Sequence, residues 1–259
     1  MPSHSKLKNL TFIHSDNDVH MGDDWYDIAT EKHFWMRRRW KVLTKLLSKK
    51  VHIDLNKIAD IGCGIGTQSN IIKKFFRAEV DGIDLNSNAL TRAAETFSEC
   101  NFLCMNVLNP PDKFLFNYDA VFILDILEHL ENPAPLLTSC AAILKDQGIA
   151  IINVPSGPSL FSSYDEVVGH QRRYSLDLML EQVNESGLKI LSWSFWGASL
   201  IPLLLARKML LRKPNSKTIK NGFSVSNYFF NEILYFLSNI EYLPNHIFGS
   251  SLMVIAQKK

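Results

Sequence analysis

The sequence predicts an α/β domain built on a mainly parallel sheet, and three observations predict it. From residue 57 onward, short apolar runs alternate with amphipathic segments, the order that strand–helix–strand units leave in a chain. A glycine-rich turn, Gly62-Cys-Gly-Ile-Gly66, follows the first of those runs. The length, 259 residues, with 46% hydrophobic and 21% charged, suits one large domain with modest additions, whose core needs no disulfide staples.

Residues 1–22 are polar and without period, so a flexible N-terminus is expected. Residues 23–50 read as a helix, capped by Asp23 or Asp24, with apolar positions at Trp25, Ile28, Phe34, Trp35, Val42, Leu43, Leu46 and Leu47. This helix is expected to form a lid on a domain spanning residues 51–259. Strands are predicted over residues 57–61, 79–84, 101–105, 118–124 and 148–154. The helices between them fall at 68–76, 88–97 and 133–144. Residues 156–174, rich in Ser, Gly, Tyr and charge, form a long connection of the kind that is usually functional or disordered. A helix follows at 175–186, capped by Ser175 and ended by Gly187, then a strand at 188–195. A second insertion, 196–247, holds an apolar helix, a basic linker (212–222) and a helix at 227–240. Residues 251–256 make the final strand.

Composition excludes several classes. A formal net charge of +2 is too small for nucleic acid to be the main partner. The four cysteines, Cys63, Cys100, Cys104 and Cys140, form no Cys-x-x-Cys pair, which argues against zinc and for reduced, buried thiols in a cytoplasmic protein. The N-terminal Met-Pro-Ser-His-Ser-Lys leads into polar sequence and is read as carrying no secretory signal. The run from Ser194 to Leu211 is interrupted by Pro202, Arg207 and Lys208 and is too short to span a bilayer. Two readings stand for it: a core helix with a solvated loop, or peripheral membrane contact through residues 195–220 at the inner face of the membrane, with Arg207, Lys208, Arg212, Lys213, Lys217 and Lys220 as a basic flank.

The glycine-rich turn carries the chemistry. Glycines after a first strand let backbone approach a ligand closely, and the next helix offers free N–H groups. The spacing is Gly-x-Gly-x-Gly, whereas a dinucleotide fold prefers Gly-x-Gly-x-x-Gly. Asp60 sits inside the strand just before it, where a carboxylate suits a ligand bearing an ammonium better than one bearing a pyrophosphate. Asp84 ends the second strand, 24 residues after Asp60, where a carboxylate can accept from ribose hydroxyls or cap the next helix.

Together these residues resemble the class I S-adenosylmethionine-dependent methyltransferases. The family's first motif matches Asp60-Ile-Gly-Cys-Gly-Ile-Gly66, its acidic second motif Gly82-Ile-Asp-Leu85, its fourth-strand motif residues 118–129 and its fifth residues 144–155. The third strand usually ends in Asp where this chain has Asn106, which can still accept a hydrogen bond. The resemblance implies a Rossmann-like, doubly wound, seven-stranded sheet with an antiparallel last strand, an N-terminal helix and a C-terminal helical elaboration. It implies S-adenosylmethionine as cofactor, held by Asp60, Gly62, Cys63, Gly64 and Gly66 on the first turn. Asp84, Leu85, Asn106, Val107 and Leu124 complete that site from the following strands.

For the acceptor, three segments stand out. Glu31 to Trp40 interleaves aromatics and arginines, and Trp35 and Arg38 are candidate acceptor ligands, unless the segment is simply an amphipathic helix. Asp125-Ile-Leu-Glu128-His129 is similar to the Glu-x-x-Glu-His cluster of quinone-pathway O-methyltransferases, where carboxylates hold a divalent cation; it is read here without a metal, with His129 as general base. The third segment, residues 164–174, adds His170 as a second candidate base, with Asp165, Arg172 and Tyr174 toward the acceptor; the bland alternative is a solvated loop capping the next helix. The combination looks like one bacterial subgroup linked to glycan, lipid or small-molecule modification. The resulting expectation is a methyltransferase acting, at oxygen, on a small-molecule, glycan or lipid-linked acceptor. The rival readings are a nucleotide-dependent Rossmann oxidoreductase and a non-catalytic S-adenosylmethionine-binding subunit.

Overall fold

Period-two alternation inside each apolar run decides how the strands assemble, because successive side chains point to opposite faces. The computed structural model describes residues 7–14, 30–48, 54–210 and 228–259. Its strands are β1 (Leu10–Phe12), β2 (Lys57–Ile61), β3 (Glu79–Asp84), β4 (Asn101–Cys104), β5 (Tyr118–Leu124), β6 (Leu144–Pro155), β7 (Leu188–Trp196) and β8 (Ser251–Lys258). The helices are α1 (Phe34–Leu47), α2 (Thr67–Phe76), α3 (Ser87–Thr96), α4 (Ala134–Ile143), α5 (Ser163–Val167), α6 (Leu176–Glu185), α7 (Ile201–Leu210) and α8 (Tyr228–Ser238).

The strands form one sheet in the order β1-β4-β3-β2-β5-β6-β8-β7. Neighbours from β1 to β6 run parallel, and β8 is antiparallel to both β6 and β7. In β5, Val121 and Ile123 face one core, whereas Ala120 and Phe122 face the other. β8 divides in the same way, with Leu252, Val254 and Ala256 on the first side and Met253 and Ile255 on the second. Helices α4 and α6 cover the first face through Leu137, Cys140, Met179 and Val183. Helices α1, α2 and α3 cover the second through Val42, Leu46, Ile72 and Leu90. Burial of both faces explains why the strands read as near-continuous apolar runs. All four cysteines are buried free thiols.

The doubly wound sheet and its antiparallel last strand are as expected, but among the described residues the sheet has eight strands rather than seven. The extra strand, β1, lies within the segment expected to be loose. Its three residues are too few for a period to show, and its partner β4 supplies the order. Asn9 anchors it, its side-chain amide donating to the carbonyls of Ala94, Phe97 and Cys100.

Other boundaries shift for local reasons. The helix expected over residues 23–50 is observed from Phe34, with His33 as its N-cap, accepting from Trp35 N–H; Asp23, Asp24, Trp25 and Ile28 lie outside the described residues. The long connection at 156–174 contains α5, closed by a capping box in which Asp165 and Ser162 satisfy each other's backbone donors. Ser194, Phe195 and Trp196 belong to β7, so the apolar run starting at Ser194 is part strand and part helix. Ser175 caps α6 as expected, accepting from Leu178 N–H, and Gly187 follows at φ +82°. The basic linker lies outside the described residues.

Candidate functional site

The chain leaves β2 for β3 on one side and resumes at β5 on the other, so the strand order reverses between β2 and β5. A crevice opens at the carboxyl ends of strands at such a point. The carboxyl ends of β2, β3, β4 and β5, with the loops that follow them, carry Gly62–Gly66, Asp84 and Leu85, Asn106 and Val107, and Leu124 and Asp125 respectively. All the sequence-predicted cofactor residues therefore gather on one end of the sheet.

The glycines are demanded by geometry. Gly62, Gly64 and Gly66 all have positive φ, at +64°, +52° and +78°. A Cβ on Gly62 would lie 2.7 Å from Ile126 Cδ1, and one on Gly66 would lie 2.7 Å from Phe102 Cζ. Asp84 ties two loops together: Oδ2 accepts from Gly64 N–H at 2.8 Å and Oδ1 from Asn86 N–H at 2.9 Å. It does not cap α3, since Asn86 does so by accepting from Ala89 N–H. Asp60 is buried beside this turn and accepts from Ser69 Oγ at 2.7 Å. Burial raises its carboxyl to about 7, outweighing the Ser69 hydrogen bond and the nearby Arg39 guanidinium. Asn106 is half-buried, and its side chain accepts from Leu108 N–H; Val107 is buried, and Leu85 and Leu124 are half-buried.

Three consecutive arginines on α1 fan out to three separate partners, as the 100° rotation per helical residue requires. Arg37 pairs with Glu232 and lies over the Tyr235 ring. Arg38 is 1% exposed and pairs at 2.9 Å with Glu241, which also accepts from the N–H groups of Gly197 and Ala198. Arg39, also buried, pairs with Asp125 just beyond β5. Asp125 has φ +57°, and its other oxygen accepts from Asn153 Nδ2 at 2.6 Å. Trp196 Nε1–H in turn donates to Asn153 Oδ1. Sequence reasoning selected Arg38 and missed Arg39 and Asn153; the triplet Arg37-Arg38-Arg39 was visible, but not which member faces the strand ends. Trp35 packs against Trp196 at 4.3 Å between ring centroids.

The loop at 156–174 folds inward. Asp165 is fully buried and binds Arg173 at 2.8 Å, His170 Nδ1 at 3.0 Å and Ser162 N–H at 2.9 Å. Burial acts to raise its carboxyl, but the His170 hydrogen bond and the Arg173 charge outweigh this and hold it well below the usual carboxylate range. Tyr174 is fully buried, with its hydroxyl donating to Leu127 O, and Arg172 donates to the carbonyls of Leu130 and Glu131. These contacts turn Arg38, Asp165 and Tyr174 toward the protein itself. The loop brings His170 against His129, with ring centroids 4.8 Å apart. Burial, with His170 adjacent, lowers His129 to about 4, so its imidazole is neutral at physiological pH. Glu128 is buried next to both, and burial together with the Asp125 charge pushes its carboxyl well above the usual range.

Residues 59–150 match a family described as a methyltransferase domain. These residues carry the likeness to a methyltransferase domain, and they make up about a third of the chain. The matched residues run from β2 into β6. The chain is similar to the ubiquinone biosynthesis O-methyltransferase of Proteus mirabilis (strain HI4320), 27% identical over 149 residues, which are 53% of this chain and 60% of that enzyme. The chain spans about half the length of the curated relatives it matches. Among solved structures, a chain of the Haloferax volcanii complex between the Trm112 methyltransferase activator and a methyltransferase superposes with TM-score 0.60 at 14% identity, over 92% of this chain and 98% of that one. Haemonchus contortus phosphoethanolamine N-methyltransferase 2, in complex with S-adenosyl-L-methionine, gives TM-score 0.57 at 20% identity, over 86% of this chain and 52% of that one. These likenesses show a shared fold.

Proposed function

We propose that the protein is an S-adenosylmethionine-dependent methyltransferase that methylates an oxygen of a small-molecule, glycan or lipid-linked acceptor. The observation that carries this reading is the Asp84 carboxylate, fixed by Gly64 N–H and Asn86 N–H at the mouth of a turn that leaves no room for side chains at Gly62 and Gly66. That cradle fits the cofactor: Asp84 for the ribose hydroxyls, Asn106 and Val107 at the adenine edge, Leu85 and Leu124 as apolar walls, and the backbone of Gly62, Cys63, Gly64 and Gly66 against the methionine portion. Asp60 offers a carboxylate to an ammonium group.

Bound S-adenosylmethionine supplies a methyl group already activated on a sulfonium. The chain's own task is then to hold an acceptor in line and exclude water. A neutral His129 has a lone pair for the proton of an acceptor hydroxyl, and His170 lies beside it. Trp35 and Arg172 remain candidates for the acceptor side. A dinucleotide-dependent oxidoreductase is disfavoured by the glycine spacing and by buried Asp60.

Calorimetric titration with S-adenosylhomocysteine tests the reading. Wild type should bind saturably, and Asp84→Ala should bind at least about tenfold more weakly, since charge-assisted hydrogen bonds are worth about 1.5–3 kcal/mol each. A well-folded wild type that does not bind would sink the proposal. Binding without transfer to any of a broad acceptor panel would favour the non-catalytic reading.

A lipid-linked acceptor and contact with the inner membrane face are supported by the apolar surface of the C-terminal elaboration. Leu203, Leu205 and Met209 on α7 and Phe229, Phe230 and Phe236 on α8 are exposed. The α7 residues fall within the stretch expected at 195–220, of which Phe195 and Trp196 are buried in β7, and the α8 residues extend the surface past it. Among the described residues, no helix is long and apolar enough to cross a membrane.

A further inference from the structure

We propose that His14, carried in by the extra strand β1, is a positioning residue for the adenine end of the cofactor site. It holds the turn that presents Asn106, and so sets the preference for adenine. The inference rests on the S-adenosylmethionine reading above. β1 runs parallel to β4, so it delivers the chain to the same end of the sheet as Asn106. Just past β1, the N–H groups of Ile13 and His14 both donate to Cys104 O, at 2.9 and 3.1 Å. That brings the imidazole alongside the turn after β4, where His14 Nδ1 accepts from Asn106 N–H at 3.2 Å. An amide N–H only donates, so Nδ1 is bare and the ring carries its proton on Nε2.

Three further bonds hold the same turn. Met105 N–H donates to Asp84 O at 3.1 Å, and Asn109 N–H donates to Asn106 O at 3.1 Å. Asn106 Oδ1 accepts from Leu108 N–H at 3.0 Å, which fixes which end of its amide is oxygen and which is nitrogen. A carboxylate at this place only accepts, whereas the Asn106 amide offers a donor and an acceptor side by side. That pair matches adenine, whose exocyclic amine donates and whose adjacent ring nitrogen accepts. Hypoxanthine carries a carbonyl in place of the amine and presents two acceptors there. Reading this difference requires the amide to be fixed before the base arrives, because a turn that must be ordered on binding loses affinity and selectivity. His14 is the clamp on Asn106 that comes from the N-terminal segment, beyond residues 59–150.

Two readouts test the assignment, and the first uses no cofactor. Hydrogen exchange at the Asn106 amide, followed by NMR, should be about 3–10-fold faster in His14→Ala than in wild type. It should return toward wild type in His14→Asn, whose Oδ1 takes the place of Nδ1. β1 keeps its own anchor in Asn9, so both variants retain the fold. The second readout is calorimetric titration with S-adenosylhomocysteine and with S-inosylhomocysteine, its hypoxanthine analogue. Wild type should prefer the adenine ligand. His14→Ala should weaken that ligand by about 3–10-fold and the analogue less, narrowing the preference, and His14→Asn should restore it. Unchanged exchange at Asn106 in His14→Ala would overturn the assignment. Equal weakening of both ligands, or no recovery in His14→Asn, would do the same while leaving the cofactor reading in place. A wild type that binds neither ligand would overturn the cofactor reading and the adenine role with it.

Discussion

Asp60 faces two opposing demands. Its carboxyl is raised from 3.8 to about 7 by burial, so in the cofactor-free protein it is largely neutral below about 7. If it faces the cofactor's ammonium, binding favours the ionised form and releases a proton at lower pH. S-adenosylhomocysteine affinity should then fall as pH drops below about 7, by at most about tenfold per unit, and level off above it; calorimetry across the range reads this directly. Linkage gives the opposite sign for stability. A carboxyl raised on folding contributes stability that is full below 3.8 and is lost as pH rises toward about 7. Asp60→Asn should therefore raise the melting temperature of cofactor-free protein at pH about 8 while weakening and flattening the binding profile. At Gly66, alanine meets both a φ of +78° and Phe102, so Gly66→Ala should cost at least about 1–2 kcal/mol in denaturant unfolding.

Helix α1 shows how one element joins two parts of the molecule. Its apolar face, Val42, Leu43 and Leu46, packs on the sheet beside α2, and its arginines reach the end of β5 and the C-terminal elaboration. Arg38 with Glu241 is a buried pair that also closes the Gly197–Ala198 backbone. Arg38→Met leaves the Glu241 charge without its partner and should cost about 3–5 kcal/mol, measured by urea unfolding. Adding Glu241→Gln should recover part of that loss, the coupling being read from the double-mutant cycle. The 156–174 loop behaves likewise: its charges are spent on internal bonds centred on Asp165, which positions His170.

At the scale of the whole molecule, one end of the sheet carries the residues proposed to hold the cofactor, and an apolar surface grows from the chain after β7. A fold of this kind hosts many chemistries, so the acceptor must be argued from that surface and from the Glu128–His129–His170 corner. If the surface meets lipid, flotation with vesicles containing anionic lipid should recover wild-type protein, and Phe236→Ser with Tyr242→Ser should reduce recovery several-fold without changing the melting temperature; both side chains are strongly exposed. Equal flotation of wild type and double variant would remove the membrane reading.

Much of this is legible in the sequence. Strand and helix order from β2 to β6, the glycine turn, Asp60 and Asp84 are local signals. A buried strand must be apolar, a tight turn against a neighbouring side chain must be glycine, and each requirement leaves its mark within a few residues. The three-residue β1 lacked such a mark, since its order comes from β4 and from Asn9 reaching Ala94, Phe97 and Cys100. The same holds for the corner beside the cofactor end. The sequence alone determined that Asp125, Glu128 and His129 share a strand end and that His170 lies in a long polar loop. Only tertiary structure decided that Arg39 and Asn153 occupy Asp125, that Asp165 turns His170 toward His129, and that Glu128 is buried between them. These outcomes depend on contacts between distant segments, where a side chain's partner is set by packing geometry and not by its neighbours in the chain.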